Sequence, residues 1–257
     1  NHEIVLRITN SANTAYRIEG SLDLVSWSAV VTLQGKGSDQ FTDSQGPFLA
    51  TRFYRTVPVE AATAFTGDHI QTTSGDAVVH PVNHASFVIR WNGLWIYNDP
   101  VGGATPYKGI PQADIILVSH AHSDHFDAAT LNAVKGTKSV ILAPAAVYAS
   151  MSAALKSNTI PMAYGATTNW SGAAVEAVPA YNSNHPKGSG NGFVLTLGGV
   201  RFYMSGDTGD VAEMRALRNI DVAFLCMNQP FTMTIDQAAG AAREFRPRVV
   251  YPYHFRN

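Results

Sequence analysis

The chain is poor in charge, in cysteine and in long apolar runs, and each shortage excludes something. Only 14% of its 257 residues are charged, and 18 basic against 19 acidic side chains leave a formal net charge of −1. There is no basic run, and so no field to steer nucleic acid or an anionic membrane. The single cysteine, Cys226, rules out an intrachain disulfide. No apolar stretch approaches the roughly 20 residues that a membrane helix needs. Hydrophobic residues still make up 46% of the chain, which marks a folded globular protein. The length suits one large domain, or a medium domain plus a small one.

What the sequence has is one dense stretch of histidine and carboxylate. Ser119-His120-Ala121-His122-Ser123-Asp124-His125-Phe126-Asp127 follows the apolar run Ile115-Ile116-Leu117-Val118. A helix is expected after it, from Ala128 to Val134. Packing does not explain five metal-capable side chains at the exit of a buried strand. Imidazole and carboxylate are the donors that suit zinc, manganese or iron.

Around this stretch the chain reads as two parts. Residues 1–60 carry short alternating strands separated by Gly, Ser, Asn and Asp clusters, which predicts a small β-sandwich. Tyr16, Ile18 and Leu22 fall on one side of the first strand pattern, and strands are expected at 30–33, 40–42 and 52–57. Pro58 to Ala64 reads as a linker. From 65 to 257 strands alternate with helices. Asn92-Gly93 and Gly198-Gly199 each sit between two apolar runs and predict two-residue hairpins. Helices are expected over 145–155, 211–218 and 235–245, and late strands over 222–226 and 249–251. The plan is α/β, in two layers and twice repeated.

Three further donors lie downstream, each in a loop or at a strand exit: His185, Asp207 and His254. With His120, His122, Asp124 and His125 they make five histidines and two aspartates. His120 and His122 point to one side if strand geometry persists there, whereas Asp124 and His125 are adjacent and point elsewhere. That pattern suits two ions better than one.

The order and spacing of His120-Ala121-His122-Ser123-Asp124-His125, then His185, Asp207 in Gly206-Asp207-Thr208, and His254 resemble the metallo-β-lactamase superfamily. The resemblance covers residues 66–257. The phrases Asn83-His84-Ala85-Ser86-Phe87, Asp99-Pro100-Val101-Gly102 and Pro252-Tyr253-His254 look like its branch of ascorbate-phosphate lactonase-like and phospholipase-D-like hydrolases. The resemblance implies a four-layer αββα sandwich, here preceded by a small all-β domain. It implies one ion held by His120, His122 and His185, a second held by Asp124, His125 and His254, and Asp207 between them. The two divalent ions would be zinc first, with manganese or iron as alternatives. They would share a hydroxide that attacks a lactone, ester or phosphodiester. Asp124 would orient that nucleophile or move a proton, and His84 would contact substrate or support the centre. Asp99 would hold a ligand imidazole.

Residues 16–55 loosely resemble β-sandwich modules of secreted bacterial proteins. That implies a spacer or adhesion module on an exported chain, periplasmic or extracellular, with the cytoplasm as the alternative. The expected partner is a small-molecule substrate, without nucleic acid or a membrane span, and an oligomer is open. A di-iron redox protein of the same fold is the competing class, and a non-catalytic binding protein with a retained metal site is another. His2, His69 and His80 have no partner pattern and read as surface or core residues. Asp127 reads as a helix cap, and Cys226 as buried filler. Gly188-Ser189-Gly190-Asn191-Gly192 reads as a mobile flap or turn, and Asn228, Phe231 and Tyr253 as pocket lining.

Overall fold

The computed structural model describes residues 4–9, 14–43, 45–59 and 65–255. Of the linker expected over 58–64, Pro58 is the last residue of a strand, whereas 60–64 lie outside these residues, as does His2. The chain divides between His80 and Pro81, later than the 60–65 boundary expected from the sequence. The reason is local pairing: Val31 and Thr32 pair with Asp68 and Gly67, and residues 68–70 pair in turn with 77–79.

The N-terminal unit holds β1 (Ile4–Thr9), β2 (Ala15–Ser21), β3 (Ser28–Gln34), β4 (Ser38–Asp43), β5 (Phe53–Pro58), β6 (Gly67–Ile70) and the start of β7 (Ala77–Asn83). β1 and β4 form a two-stranded sheet, and β5-β2-β3-β6-β7 follow one another in a second. Leu6, Ile8 and Phe41 of the first sheet meet Tyr16, Ile18 and Val31 of the second in one apolar core. Leu22, expected on the same face as Tyr16 and Ile18, is exposed. β2 ends at Ser21, whose hydroxyl accepts from Leu24 N in the turn that follows.

The C-terminal unit begins with the hairpin β8 (Ser86–Trp91) and β9 (Leu94–Asn98). Asn92 and Gly93 have φ of 47° and 82°, the left-handed pair that a two-residue hairpin turn needs. Then come β10 (Ala113–Leu117), α1 (Ala128–Val134), β11 (Lys135–Ala143), α2 (Ala145–Ser150), α3 (Ala153–Lys156) and β12 (Thr159–Pro161). β9, β10, β11 and β12 are parallel neighbours. Ile115, Ile116, Leu117 and Val118 are fully buried, as a central parallel strand covered on both faces requires. The helix expected over 145–155 breaks in two because Met151 is extended and Ser152 caps a fresh start.

The second half has β13 (Thr167–Trp170), β14 (Ala173–Ala180), β15 (Gly190–Leu197), β16 (Val200–Met204), α4 (Ala212–Arg215), β17 (Val222–Cys226), α5 (Ile235–Phe245) and β18 (Val249–Tyr253). The six strands lie side by side in chain order. α5 matches its expected bounds and starts with a capping box between Thr234 and Gln237. α4 covers only 212–215 of the 211–218 expected. The two sheets face each other: Phe87 of β8 stacks on Phe224 of β17, ring centroids 4.1 Å apart. Such a pair adds about 0.5–1.5 kcal/mol beyond its buried area. α1 packs with α3 beside β12, and α4 packs with α5. This is the αββα sandwich. Among the described residues no helix is long and apolar enough to cross a membrane.

Candidate metal centre

Five strand exits bring the polar residues together at one end of the C-terminal unit. β9 runs into Asp99, β10 into Ser119 and His120, β14 into Asn182 and His185, β16 into Asp207, and β18 into His254. Backbone bonds fix these exits to one another: Asp99 N donates to Leu117 O, and Asn191 N donates to Ser119 O. Two glycines let the exits approach. A Cβ on Gly206, whose φ is +57°, would fall 2.7 Å from Asn191 O, and one on Gly190 would fall 3.2 Å from His120 Cβ. The stretch 188–192, expected as a mobile flap or turn, divides: Gly188 and Ser189 lie in a turn, and Gly190-Asn191-Gly192 is the buried start of β15.

All seven sequence-derived metal candidates converge. His120, His122 and His185 offer ring nitrogens to one point, with His185 Nε2 3.1 Å from His122 Nδ1. A second grouping joins His125, Asp207 and His254, and Asp124 reaches it with Oδ2 3.3 Å from His254 Nε2 and 3.7 Å from His125 Nε2. Asp207 stands between the groups. Its Oδ2 lies 3.5 Å from His185 Nε2, 3.8 Å from His120 Nε2 and 3.4 Å from His254 Nε2, and its Oδ1 lies 3.4 Å from His125 Nε2. Donors bound at about 2.0–2.2 Å to one ion sit roughly 3–3.5 Å apart, close to these separations.

Unpartnered atoms point the same way. His120 Nε2, His125 Nε2 and Asp207 Oδ1 are buried without a hydrogen bond. Leaving such groups unpaired costs about 1–3 kcal/mol each, so an arrangement that keeps several together fits a cation. The donor set of imidazole and carboxylate fits a divalent metal.

Behind the donors, Asp99 is fully buried and accepts from Ser119 N at 2.7 Å, Ser119 Oγ at 2.7 Å and His125 Nδ1 at 2.8 Å. Ser119 Oγ spends its hydrogen on Asp99, so it accepts from His120 Nδ1 at 3.0 Å. Both imidazoles thus turn Nε2 towards the centre. Sequence reasoning found Asp99 but missed Ser119, which neighbours a candidate ligand and carries no motif of its own. His84, between β7 and β8, places Nε2 3.6 Å from Asp124 Oδ2 and its ring 4.1 Å from that of His254.

The electrostatics divide the histidines. Burial and the neighbouring histidines push His120 far below the usual range and His185 down to about 4. His125 is opposed by burial, but Asp99, Asp207 and Asp124 lift it to about 9. The hydrogen bond from His254 holds Asp124 well below the usual carboxylate range, whereas burial raises Asp207. Without metal, His125 is therefore protonated at neutral pH, and binding must expel that proton. Apparent metal affinity should rise with pH, by about tenfold per unit for one released proton, and level off above about 9. Competition titrations against a chromophoric chelator between about pH 6.5 and 8.5 measure this. A flat profile would contradict the coordination of His125.

Asp127 caps α1, accepting from Ala129 N at 2.9 Å. Cys226 is buried, and burial lifts its thiol to about 11. His69 bonds Thr32 Oγ1 at 2.7 Å and Asp76 at 3.0 Å, and His80 bonds Thr66 O at 2.7 Å, all within the N-terminal unit. Asn228 lines a cleft of about 360 Å³ with Met227, Gln229, Ile235, Pro252 and Phe255. Neither Phe231, which is exposed, nor Tyr253, which is buried, is among the residues lining this cleft.

The sequence has relatives. Residues 79–254 match the family model described as the beta-lactamase superfamily domain. A UPF0173 metal-dependent hydrolase of Thermococcus kodakarensis is 37% identical over 68% of this chain and 82% of its own. The crystal structure of a protein provisionally named metal-dependent hydrolase, from Parabacteroides distasonis, is 39% identical. It covers 75% of this chain and 89% of its own, with a TM-score of 0.68. A metallo hydrolase of Ignicoccus hospitalis is 26% identical, covering 69% of this chain and 82% of its own, with a TM-score of 0.60. On the family match, the shared αββα fold and the convergence of strand exits, the chain belongs to the beta-lactamase superfamily.

Proposed function

We propose that the chain is a metal-dependent hydrolase with a dinuclear centre, acting on a small lactone, ester or phosphodiester. The observation that carries this reading is Asp207, whose two oxygens face the Nε2 atoms of four histidines from both donor groups at 3.4–3.8 Å. The relatives named as metal-dependent hydrolases support the reaction class. His120, His122 and His185 would hold one divalent ion, Asp124, His125 and His254 the other, with Asp207 shared. Zinc is the first choice, and manganese or iron suits the same donors. Ions held there supply a nucleophile at neutral pH and offset charge on the substrate oxygen.

The chain's own groups handle the proton. Asp124 stays ionised and is half-exposed, and it would orient the nucleophile or move a proton towards a leaving group. His84 is kept neutral by burial and by His254, and its side chain is 27% exposed. It contacts substrate or exchanges a proton with Asp124. Replacing His84 by Ala should leave bound metal unchanged and lower kcat by about 10²-fold, the usual worth of a positioned acid or base. Metal analysis beside steady-state kinetics checks this, and loss of metal in that variant would make His84 a ligand instead. The N-terminal unit is read as a spacer or adhesion module on an exported chain.

The direct test is a panel of small lactones, esters and phosphodiesters offered to protein that has been chelated and then reloaded with zinc or manganese. Turnover should vanish on chelation and return with metal. Reloaded protein inert across the panel would favour a retained site without catalysis.

A further inference from the structure

Asn182 is absent from the donor set, yet its side chain makes five hydrogen bonds around the centre. One end faces Asn184 N at 2.7 Å, His185 N at 3.1 Å and His185 Nδ1 at 3.0 Å. Backbone N–H groups only donate, so that end is the carbonyl oxygen Oδ1. The other end faces Asp207 O at 3.1 Å and Phe231 O at 3.0 Å, which only accept, so it is the amide Nδ2. This orientation leaves His185 one choice. Its Nδ1 must carry the proton it gives to Oδ1, and its Nε2 then presents a lone pair between His122 and Asp207.

The Nδ2 end reaches a different element. Phe231 belongs to the turn from Asn228 to Thr232, closed by Phe231 N and Thr232 N donating to Asn228 O and by Asn228 N donating to Thr232 Oγ1. Asn228 and Gln229 of that turn wall the 360 Å³ cleft, whose lining also includes Phe255, the chain neighbour of His254. Each Nδ2 hydrogen is used, one on the backbone of a candidate ligand and one on the turn 228–232.

We infer that Asn182 is a positioning residue that fixes the His185 imidazole for metal and ties His185 and Asp207 to the turn 228–232. The inference rests on the metal-centre reading above. A neutral amide does this without adding charge, in contrast to Asp99 behind His125. The two halves of the amide have separable functions. Asn182→Asp keeps an acceptor for His185 Nδ1 but cannot donate to Asp207 O or Phe231 O. Asn182→Ala loses both. Asn184 provides a control, because its Nδ2 donates to Pro230 O at 3.0 Å in the same turn without touching the His185 side chain.

The test binds Co²⁺ to the full chain, following affinity and the visible spectrum, and measures hydrogen exchange of residues 228–232 by mass spectrometry. Asn182→Ala should lose about 10–100-fold in Co²⁺ affinity, as removal of an outer partner of a ligand does. It should also change the spectrum and speed exchange in the turn. Asn182→Asp should keep affinity near wild type while exchange in the turn speeds as in the Ala variant. Asn184→Ala should keep affinity and spectrum. Wild-type affinity and spectrum in Asn182→Ala would overturn the inference, and so would unchanged exchange in Asn182→Asp. If Asn182→Ala fails to fold, the Asp variant alone decides, since both of its readouts remain. Failure of the wild-type chain to take up Co²⁺ would instead overturn the metal reading, and this inference with it.

Discussion

Replacing His120 by Ala is expected to strip the centre of metal and lower turnover by on the order of 10³-fold or more, beyond the ~10–100-fold that outer partners of a ligand are worth. His120 Nε2 is buried and unpartnered, and its ring lies 4.7 Å from that of His122, 4.8 Å from that of His185 and 4.1 Å from that of His125. It belongs to two of the donor groupings at once. Truncation removes a donor shared by both of those groupings. The fold should survive, because the imidazole is one buried neutral group that, among the described residues, hydrogen-bonds Ser119 Oγ alone. Far-UV circular dichroism should match wild type while bound zinc, counted by elemental analysis, falls. Full activity in a metal-free His120→Ala protein would sink the mechanism.

The second large effect is expected at Asp99, and it concerns stability as well as metal. Asp99→Ala leaves Ser119 N buried without an acceptor and His125 Nδ1 with only the more distant Ser119 Oγ at 3.2 Å. Breaking a buried, hydrogen-bonded charge pair costs about 3–5 kcal/mol, a large part of the 5–15 kcal/mol that holds a typical domain together. Metal affinity should fall too, because two imidazoles lose their orientation: His125 directly, and His120 through Ser119 Oγ. Asp99→Asn separates the effects. The amide fills the same space and can still accept from Ser119 N, but it cannot offer carboxylate acceptors to both Ser119 Oγ and His125 Nδ1. It should lose less stability than Ala while metal affinity still drops by about 10–100-fold. Denaturant unfolding of metal-free protein, with chelator competition for the metal, reads the two quantities apart. Wild-type affinity in both variants would reduce Asp99 to a turn residue ahead of Pro100.

Much of the centre was legible because its chemistry is concentrated in the chain. His120, His122, Asp124 and His125 fall within six residues after a strand whose four apolar residues leave little doubt about burial. His185, Asp207 and His254 were legible as loop or strand-exit residues with no packing reason to be polar. The hairpins at Asn92-Gly93 and Gly198-Gly199 were legible because left-handed φ at two consecutive positions demands those residues. What was not legible depends on partners remote in sequence. Gly67–Ile70 has no alternation to mark it as a strand, and only its pairing with β3 and β7 moves the unit boundary to His80. Asn182 reads as an ordinary loop asparagine until Asp207 and Phe231, 25 and 49 residues away, are folded against it. Gly190 and Gly192 read as flexible by composition. In the fold they are small because His120, Ser119 and the backbone of Met204 crowd them.

The central claim is that these seven side chains form one metal centre with Asp207 at its middle. Anomalous X-ray diffraction from crystals of the zinc-loaded chain, collected on both sides of the zinc absorption edge, tests it most directly. The account predicts two anomalous peaks flanking Asp207, one among His120, His122 and His185 and one among Asp124, His125 and His254. A single peak would contradict the dinuclear centre. Zinc bound only elsewhere, with these donors empty, would contradict the account as a whole.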